Sequence, residues 1–182
     1  MIKSLFFIAS LFMFLSCKKE EVETAITPTN TPFTFKSTAF TDNGTLPKEY
    51  TCNGASTSPP LNWENLPTGT KSVAITMHHI PPEMVKHVYL MLYNIPISTT
   101  SIPANVSGVG KFGINTVNGK NTYSPPCSQG PGAKTYILTA YALSAEPVIT
   151  TAASATTMDV FLTAIKSTTL GTSTLTVTYT RP

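Results

Sequence analysis

Residues 77–96 of the chain are MHHIPPEMVKHVYLMLYNIP. An apolar run over residues 73–77 leads into this stretch, and a second apolar run over residues 88–95 completes it. Pro81 and Pro82 stand between the two runs, and proline cannot continue a β-ladder. The pattern therefore predicts two strands joined by a turn.

The same stretch contains every histidine of the chain, namely His78, His79 and His87. His78 and His79 end the first predicted strand and His87 begins the second, so imidazoles from both strands meet at one rim. Because successive strand residues point to opposite faces, only one of His78 and His79 shares a face with His87. Two interpretations follow: a polar pocket at the edge of a sheet, or three solvated loop histidines.

Composition favours a single domain rich in β-strands. The chain has 182 residues, of which 12% are charged and 15 are proline. Abundant threonine favours strands, while many prolines and few charged residues argue against long helices. The formal charge of +3 is too small and too scattered for a nucleic-acid-binding surface. We therefore expect an all-β-dominated fold and no nucleic-acid partner.

The N-terminal residues resemble a bacterial lipoprotein signal peptide. Residues 1–16, MIKSLFFIASLFMFLS, have a basic start, an apolar stretch and a small residue before Cys17. The resemblance implies that Cys17 becomes a lipidated N-terminus with acyl chains such as palmitate; the alternative is an ordinary signal peptide with an incidental cysteine. Residues 17–32, charged and then rich in threonine and proline, predict a flexible tether. We expect residues 33–182 to fold, anchored in the bacterial cell envelope and facing the periplasm or the cell surface.

Four segments of this domain have strand character. Residues 33–40 and 173–180 alternate, whereas residues 72–77 and 135–143 are mostly apolar and predict buried strands. Residues 113–136 are dense in glycine, asparagine and proline, which indicates a long functional loop.

One short helix is predicted near the C-terminus. Met158, Phe161 and Ile165 fall on one helical face, and Thr156 with Asp159 three residues later fits a capping pattern. Many strands with glycine and proline turns and one late helix are typical of a β-sandwich.

Two cysteines remain after Cys17. Cys52 and Cys127 both lie in turn-rich segments, and in an exported chain such a pair favours a disulfide. The bond would close a long loop and stabilise the fold by roughly 3–5 kcal/mol. Two buried free thiols and a metal site shared with the histidines remain as alternatives. The chain lacks compact C-x-x-C or H-x-x-x-H spacing, so we expect no metal and no cofactor.

Several segments together carry a family resemblance. They are FKSTAFTDNGTLPKEYTCNG (35–54), SPPLNW (58–63), LPTGTKSVAI (66–75), HVYLMLYNIP (87–96), G-x-N (113–115), YSPPC (123–127), TYILTAYAL (135–143) and TLTVTYTR (174–181). In this order they resemble the bacterial branch of the phosphatidylethanolamine-binding protein family, which also includes the Raf kinase inhibitor protein. The resemblance covers about residues 34–181. It implies an antiparallel β-sandwich with a short C-terminal helix and, at one end, an anion pocket for phosphate-type head groups.

The resemblance also assigns residues to that pocket. The family's strand histidine falls on His87, a proline of its pocket loop on Pro126, and the tyrosine of its His-Arg-Tyr segment on Tyr136. The chain departs from the family at several positions. His78 replaces the first aspartate of the family's Asp-Pro-Asp-Ala-Pro segment, and Lys134 stands in the place of the histidine of His-Arg-Tyr.

Donors from these side chains could hold a small anion. The expected binding residues are His78, His87, Pro126, Lys134 and Tyr136. Lysine binds phosphate as a point charge, without the bidentate geometry of arginine. His78, His87 and Lys134 would repel one another when all are protonated, so binding should depend on pH. His79 is expected to lie on the surface.

The sequence gives little support for an enzymatic function. There is no G-x-S-x-G segment, and no carboxylate pair stands near the histidines, since Glu83 in the predicted turn is the nearest acid. We therefore expect a non-enzymatic, lipid-anchored protein that binds a small anion or a phospholipid head group. The alternative is an interaction or inhibitor module with a degenerate pocket and a protein partner.

Overall fold

The computed structural model describes residues 31–127 and 129–182. The chain divides into two units, Met1–Asn30 and Thr31–Pro182, and all the elements given below belong to the second. The expected signal peptide, Cys17 and nearly all of the tether therefore lie outside the described residues. Among the residues that are described, no helix has the length and apolar character needed to cross a membrane.

The described residues form nine strands and one α-helix. The strands are β1 (Thr34–Lys36), β2 (Gly44–Thr45), β3 (Leu61–Glu64), β4 (Ser72–His79), β5 (His87–Pro96), β6 (Ser101–Ile102), β7 (Lys111–Phe112), β8 (Lys134–Leu143) and β9 (Thr169–Tyr179). Helix α1 spans Met158–Ile165, and Lys48–Tyr50 and Ala153–Ala155 are short 3-10 helices.

These strands form two sheets. The smaller sheet has the order β1-β3-β6 and the larger has the order β2-β9-β8-β4-β5-β7. The pairings are antiparallel except that of β2 with β9, which is parallel. The expected sheet-dominated sandwich with one short helix near the C-terminus is thus confirmed, with one parallel edge pair that the sequence did not predict.

The core lies between the two sheets. Trp63 of the small sheet is buried there at 2% exposure, together with Val73, Ile75 and Met77 of β4. The intervening β4 residue Ala74 belongs to a second apolar cluster, which includes α1. Both faces of β4 are therefore covered, which explains why its sequence is a nearly continuous apolar run.

Helix α1 packs through the face that the sequence predicted. Met158, Phe161 and Ile165 are buried in the second cluster, and the Phe161 ring lies 5.9 Å from Tyr93 and 5.8 Å from Tyr141, centroid to centroid. Aromatic contacts at these separations stabilise the packed helix by more than the burial of apolar surface alone would.

Two local predictions need correction. The N-cap of α1 is Thr157, whose hydroxyl accepts from the Val160 N–H at 3.3 Å, whereas Thr156 is buried and donates to the Ala152 carbonyl. The strand expected over residues 33–40 ends at Lys36, because the Ser37 hydroxyl accepts from the Ala39 N–H at 3.1 Å and bends the chain.

A disulfide joins Cys52 to Cys127, as predicted, which excludes the two alternatives of free thiols and a shared metal site. The Cys52 N–H also donates to the Pro126 carbonyl at 3.0 Å. Nearby, the Tyr123 hydroxyl donates to the Tyr50 carbonyl at 2.6 Å. Together these contacts hold the segment around residues 123–127 against the segment around residues 50–54.

Replacing both cysteines with serine should destabilise the domain. The bond spans 75 residues in sequence, and closing a loop of that length contributes about 4 kcal/mol in the chain-entropy model. Urea denaturation without reductant would measure the difference in free energy of unfolding. A reducing agent should lower the wild-type midpoint toward that of the double variant and leave the variant unchanged. Equal midpoints for the two oxidised proteins would contradict the prediction.

Candidate functional site

A cavity of about 400 Å³ opens where the end of β4 meets the starts of β5 and β8. Strand residues on its wall are His79, His87, Tyr89 and Lys134. The register pairs His79 directly with His87, and their ring centroids are 6.4 Å apart. Antiparallel pairing thus brings both imidazoles to one rim of the sheet.

Loop residues complete the wall of the cavity. Pro81 and Glu83 come from the turn between β4 and β5. The segment between β7 and β8 contributes Thr116, Val117, Cys127 and Gln129. Glycine, asparagine and proline in residues 113–136 had indicated a functional loop, and this segment does border the cavity.

The ring of His79 has a fixed orientation. Its Nδ1 lies 2.8 Å from the Thr135 carbonyl oxygen, which can only accept, so Nδ1 carries a proton. Nε2 is therefore the ring nitrogen left for a ligand. It accepts a hydrogen bond when the ring is neutral and donates one when the ring is protonated.

Tyr136 lies beneath the histidine pair. Its side chain is fully buried, and its ring centroid is 5.6 Å from His79 and 5.3 Å from Tyr89. Burial and then the proximity of Tyr89 raise the pKa of Tyr136, so the hydroxyl stays protonated at neutral pH. That hydroxyl makes no close hydrogen bond among the described residues, although the Tyr89 side chain is near enough to affect its pKa. An unpaired buried hydroxyl costs about 1–3 kcal/mol, which a water or ligand could offset.

Asn115 shapes the loop on one side of the cavity. Its side chain is buried, and its Nδ2 donates to the carbonyls of Lys120 at 2.9 Å and Thr122 at 3.1 Å. Its Oδ1 accepts from the N–H groups of Val117 at 3.0 Å and Asn118 at 2.9 Å. This side chain thus adds to the backbone hydrogen bonds of the turn, in which the Asn115 N–H donates to the Lys120 carbonyl at 3.0 Å and the Gly119 N–H donates to the Asn115 carbonyl at 3.2 Å. The G-x-N motif did not predict this organising role.

Thr116 ties the same loop to β5. Its hydroxyl accepts from the Val88 N–H at 2.8 Å, and its own N–H donates to the Val88 carbonyl at 3.0 Å. Three residues before Thr116, Gly113 of the G-x-N motif packs so closely against Met91 that a Cβ there would clash with the Met91 side chain. The loop is therefore held at fixed positions along β5.

Residues 36–180 match the family model described as phosphatidylethanolamine-binding protein, which is more than half of the chain. The chain belongs to the phosphatidylethanolamine-binding protein family. Two relatives are UPF0098 proteins. The one from Methanothermobacter thermautotrophicus is 33% identical over 113 residues, covering 59% of this chain and 74% of the relative. The one from Aquifex aeolicus is 34% identical over 117 residues, covering 60% and 67%.

Solved structures agree with this assignment. A Chlamydia trachomatis homolog of phosphatidylethanolamine-binding protein matches with a TM-score of 0.75 and 25% identity, covering 82% of this chain and 98% of its own. E. coli YbcL, described as a member of the mammalian family, matches in fold with a TM-score of 0.73 and 21% identity, covering 82% and 99%.

The structure places the residues that the family resemblance assigned at different distances from the cavity. His87 and Lys134 lie on its wall. Tyr136 is buried against the wall residues His79 and Tyr89, and the buried Pro126 precedes the wall residue Cys127. A role for these residues in binding stays a prediction.

His78 does not share a face with His87, and this corrects the choice of His78 over His79. Met77 pairs with Leu90, but the next residue His78 pairs with Val88, so a β-bulge skips Tyr89. Because the bulge shifts the register by one residue, His79 faces the cavity and His78 faces the opposite side of the sheet. Sequence reasoning therefore missed His79, and it treated Glu83 only as a turn residue.

Acid should destabilise the fold through His78. This residue is 9% exposed, its Nδ1 has no hydrogen-bond partner in the described structure, and burial followed by the charges of Lys86 and His79 lowers its pKa. On acidification the unfolded chain takes up a proton near the ordinary pKa of about 6.5, while folded His78 resists protonation. The free energy of unfolding should therefore fall as pH drops from about 8 to about 5.

The variant His78→Leu should weaken this dependence, because it removes the titrating group and the unpaired nitrogen together. Urea denaturation at both ends of the pH range measures the change. His87→Leu is the matched control, since His87 is exposed, and it should keep most of the wild-type slope. The same slope in His78→Leu as in the wild type would contradict this account.

Proposed function

We propose that the chain is a non-enzymatic binding protein whose cavity takes a small phosphate-bearing anion such as a phospholipid head group. The observation that most supports this is the grouping of His79, His87 and Lys134 on the wall of one cavity. Each of these side chains can carry positive charge. The volume of about 400 Å³ lies in the range of small-ligand sites.

Anion binding at His79 would require a proton. The Thr135 carbonyl occupies Nδ1, so only the protonated ring offers a donor, at Nε2, to a phosphate oxygen. Binding should then take up a proton, and affinity should fall as pH rises. Lys134 would add a charge-assisted hydrogen bond without fixing the orientation of the anion.

Glu83 gives the same wall a carboxylate. A zwitterionic head group has both a phosphate and an ammonium, and a wall with cationic groups and one carboxylate can pair with both. The family description names phosphatidylethanolamine, whose head group has this pair of charges. We therefore propose phosphoethanolamine-type head groups as the ligand class.

Calorimetry of residues 18–182 with glycerophosphoethanolamine tests this proposal. The probe's phosphodiester keeps one negative charge between about pH 5 and pH 8, so any pH dependence arises from the protein. We expect tighter binding at the acidic end. His79→Ala and Lys134→Ala should each weaken binding by about tenfold or more, because each removes a charge-assisted hydrogen bond. Lys166→Ala is the matched control, since this exposed lysine follows α1 and does not border the cavity.

Tyr136→Phe separates binding from folding in the same experiment. The hydroxyl that this variant loses makes no close hydrogen bond in the described structure, so the free energy of unfolding should change little. Affinity should fall if the hydroxyl donates to the ligand. An absence of heat from folded wild-type protein would contradict the anion pocket and favour the protein-interaction alternative.

We also propose that the mature chain is a lipoprotein anchored through Cys17 in the bacterial cell envelope. Support comes from the basic start, apolar stretch and small residue that precede Cys17. Mass spectrometry of the mature protein should find an acylated N-terminal Cys17. Cys17→Ser should abolish the acyl modification, and Cys52→Ser, which leaves Cys17 in place, should keep it. An unmodified N-terminus elsewhere would contradict the proposal.

A further inference from the structure

The two loops that contribute residues to the cavity wall also expose apolar side chains. The turn between β4 and β5 exposes Ile80 at 42%, Met84 at 77% and Val85 at 61%, and the same turn contributes two residues to the cavity wall. Val117, itself on the wall, is 47% exposed. We call these four residues the apolar rim. They lie in the two loops that border the cavity rather than being scattered over the surface.

Two features of Met84 are unfavourable in the free protein, namely its backbone conformation and the exposure of its side chain. Its φ is 61°, a left-handed conformation that strains residues with a Cβ, and its N–H donates to the Pro81 carbonyl at 2.9 Å to close the turn. Its side chain also gains nothing from burial, since most of it is exposed. Strain of this kind persists when the surroundings impose it, and it concentrates at functional sites.

We propose that the apolar rim docks on a phospholipid bilayer, so that the cavity receives a head group while the lipid remains in the membrane. This inference rests on the proposed head-group site. Lys86 in the same turn and Lys134 on the wall oppose the single carboxylate of Glu83, which leaves an excess of positive charge at the mouth. Such charges favour lipid phosphates, while aliphatic side chains enter the boundary between head groups and acyl chains.

A bilayer fits this surface better than a protein partner does. Stable protein interfaces bury about 800 Å² on each partner and depend on tryptophan, tyrosine and arginine anchors. The rim has four aliphatic side chains and no such anchor. Its apolar groups also lie on the loops that border a charged cavity, so their insertion would present the cavity to lipid phosphates at the depth where head groups lie.

Vesicle co-sedimentation of residues 18–182, which lack the acyl anchor, tests the proposal. The vesicles contain phosphatidylethanolamine, which has the head group proposed as the ligand, and anionic phosphatidylglycerol in equal parts. The variant combines Met84→Asn, which suits the left-handed backbone, with Val85→Ser. We expect partitioning to fall by at least about tenfold, because two apolar side chains no longer leave water.

Leu170→Asn is the matched control. Leu170 is 44% exposed. Its neighbour Thr169 pairs with Leu143, so Leu170 lies beside the C-terminal end of β8, far from the cavity residue Lys134 at the other end of that strand. This variant should sediment with vesicles like the wild type. Equal partitioning of the rim variant and the wild type, or no partitioning of the wild type, would overturn the docking proposal.

Calorimetry with glycerophosphoethanolamine separates the two proposals. The rim variant should bind this soluble head group with wild-type affinity, which also shows that the variant is folded. If the wild type gives heat with glycerophosphoethanolamine but does not sediment with vesicles, the docking proposal fails while the proposed function stands. If the wild type gives neither heat nor sedimentation, both proposals fail.

Val85→Trp supplies a second measurement that does not depend on a loss of binding. Its fluorescence should shift to shorter wavelength when vesicles are added, whereas Trp63 is 2% exposed and should contribute a constant background. An unchanged spectrum with sedimenting vesicles would overturn insertion of the rim. A shift that follows protein concentration without vesicles would indicate a second copy as the partner and would equally overturn the proposal.

Discussion

Strand β4 pairs with β5 on one side and with β8 on the other, and most of the structure depends on this double pairing. Residues such as Ile75 pack between the sheets, while Ala74 joins the cluster with α1. Because both of its faces are covered, β4 has a fixed position. Antiparallel pairing then places the start of β5 and the start of β8 beside the C-terminal end of β4. The cavity therefore derives its strand wall from backbone pairing. In the loop beside it, Thr116 bonds to Val88 of β5, and a tyrosine hydroxyl and the disulfide join residues 123–127 to residues 50–52.

The elements with a strong periodic pattern could be predicted from the sequence. The apolar runs on both sides of Pro81 became β4 and β5, and the face of α1 with Phe161 packs as its spacing indicated. The pairing of Cys52 with Cys127 was predicted from the expected export of the chain and from the number of cysteines, and the structure contains this disulfide. The strand and helix predictions succeed because burial imposes a period on the residues. The disulfide prediction succeeds because only two cysteines remain once Cys17 is set aside.

The choice between the two adjacent histidines could not be predicted in the same way. A regular register from the pair Met77 and Leu90 would have placed His78 and His87 on one face. The bulge at Tyr89 reverses that outcome, and nothing in the local sequence marks it, since no glycine or proline stands there. The geometry of the loop could not be predicted either. The hydrogen bonds of the buried Asn115 side chain depend on several backbone groups, whose positions are defined only in the folded chain.

Two imidazoles on one wall make the charge of the cavity depend on how many of the rings carry a proton. The ring centroids of His79 and His87 lie 6.4 Å apart, so protonating both rings in an empty cavity places like charges close together. A phosphate on the same wall would offset that repulsion, and anion binding and proton uptake would then promote each other, as linked equilibria must. An anionic bilayer has a negative surface potential, which concentrates protons as well as cations near the head groups. If the apolar rim brings the cavity to such a surface, the local proton concentration would favour the charged imidazoles that a phosphate requires.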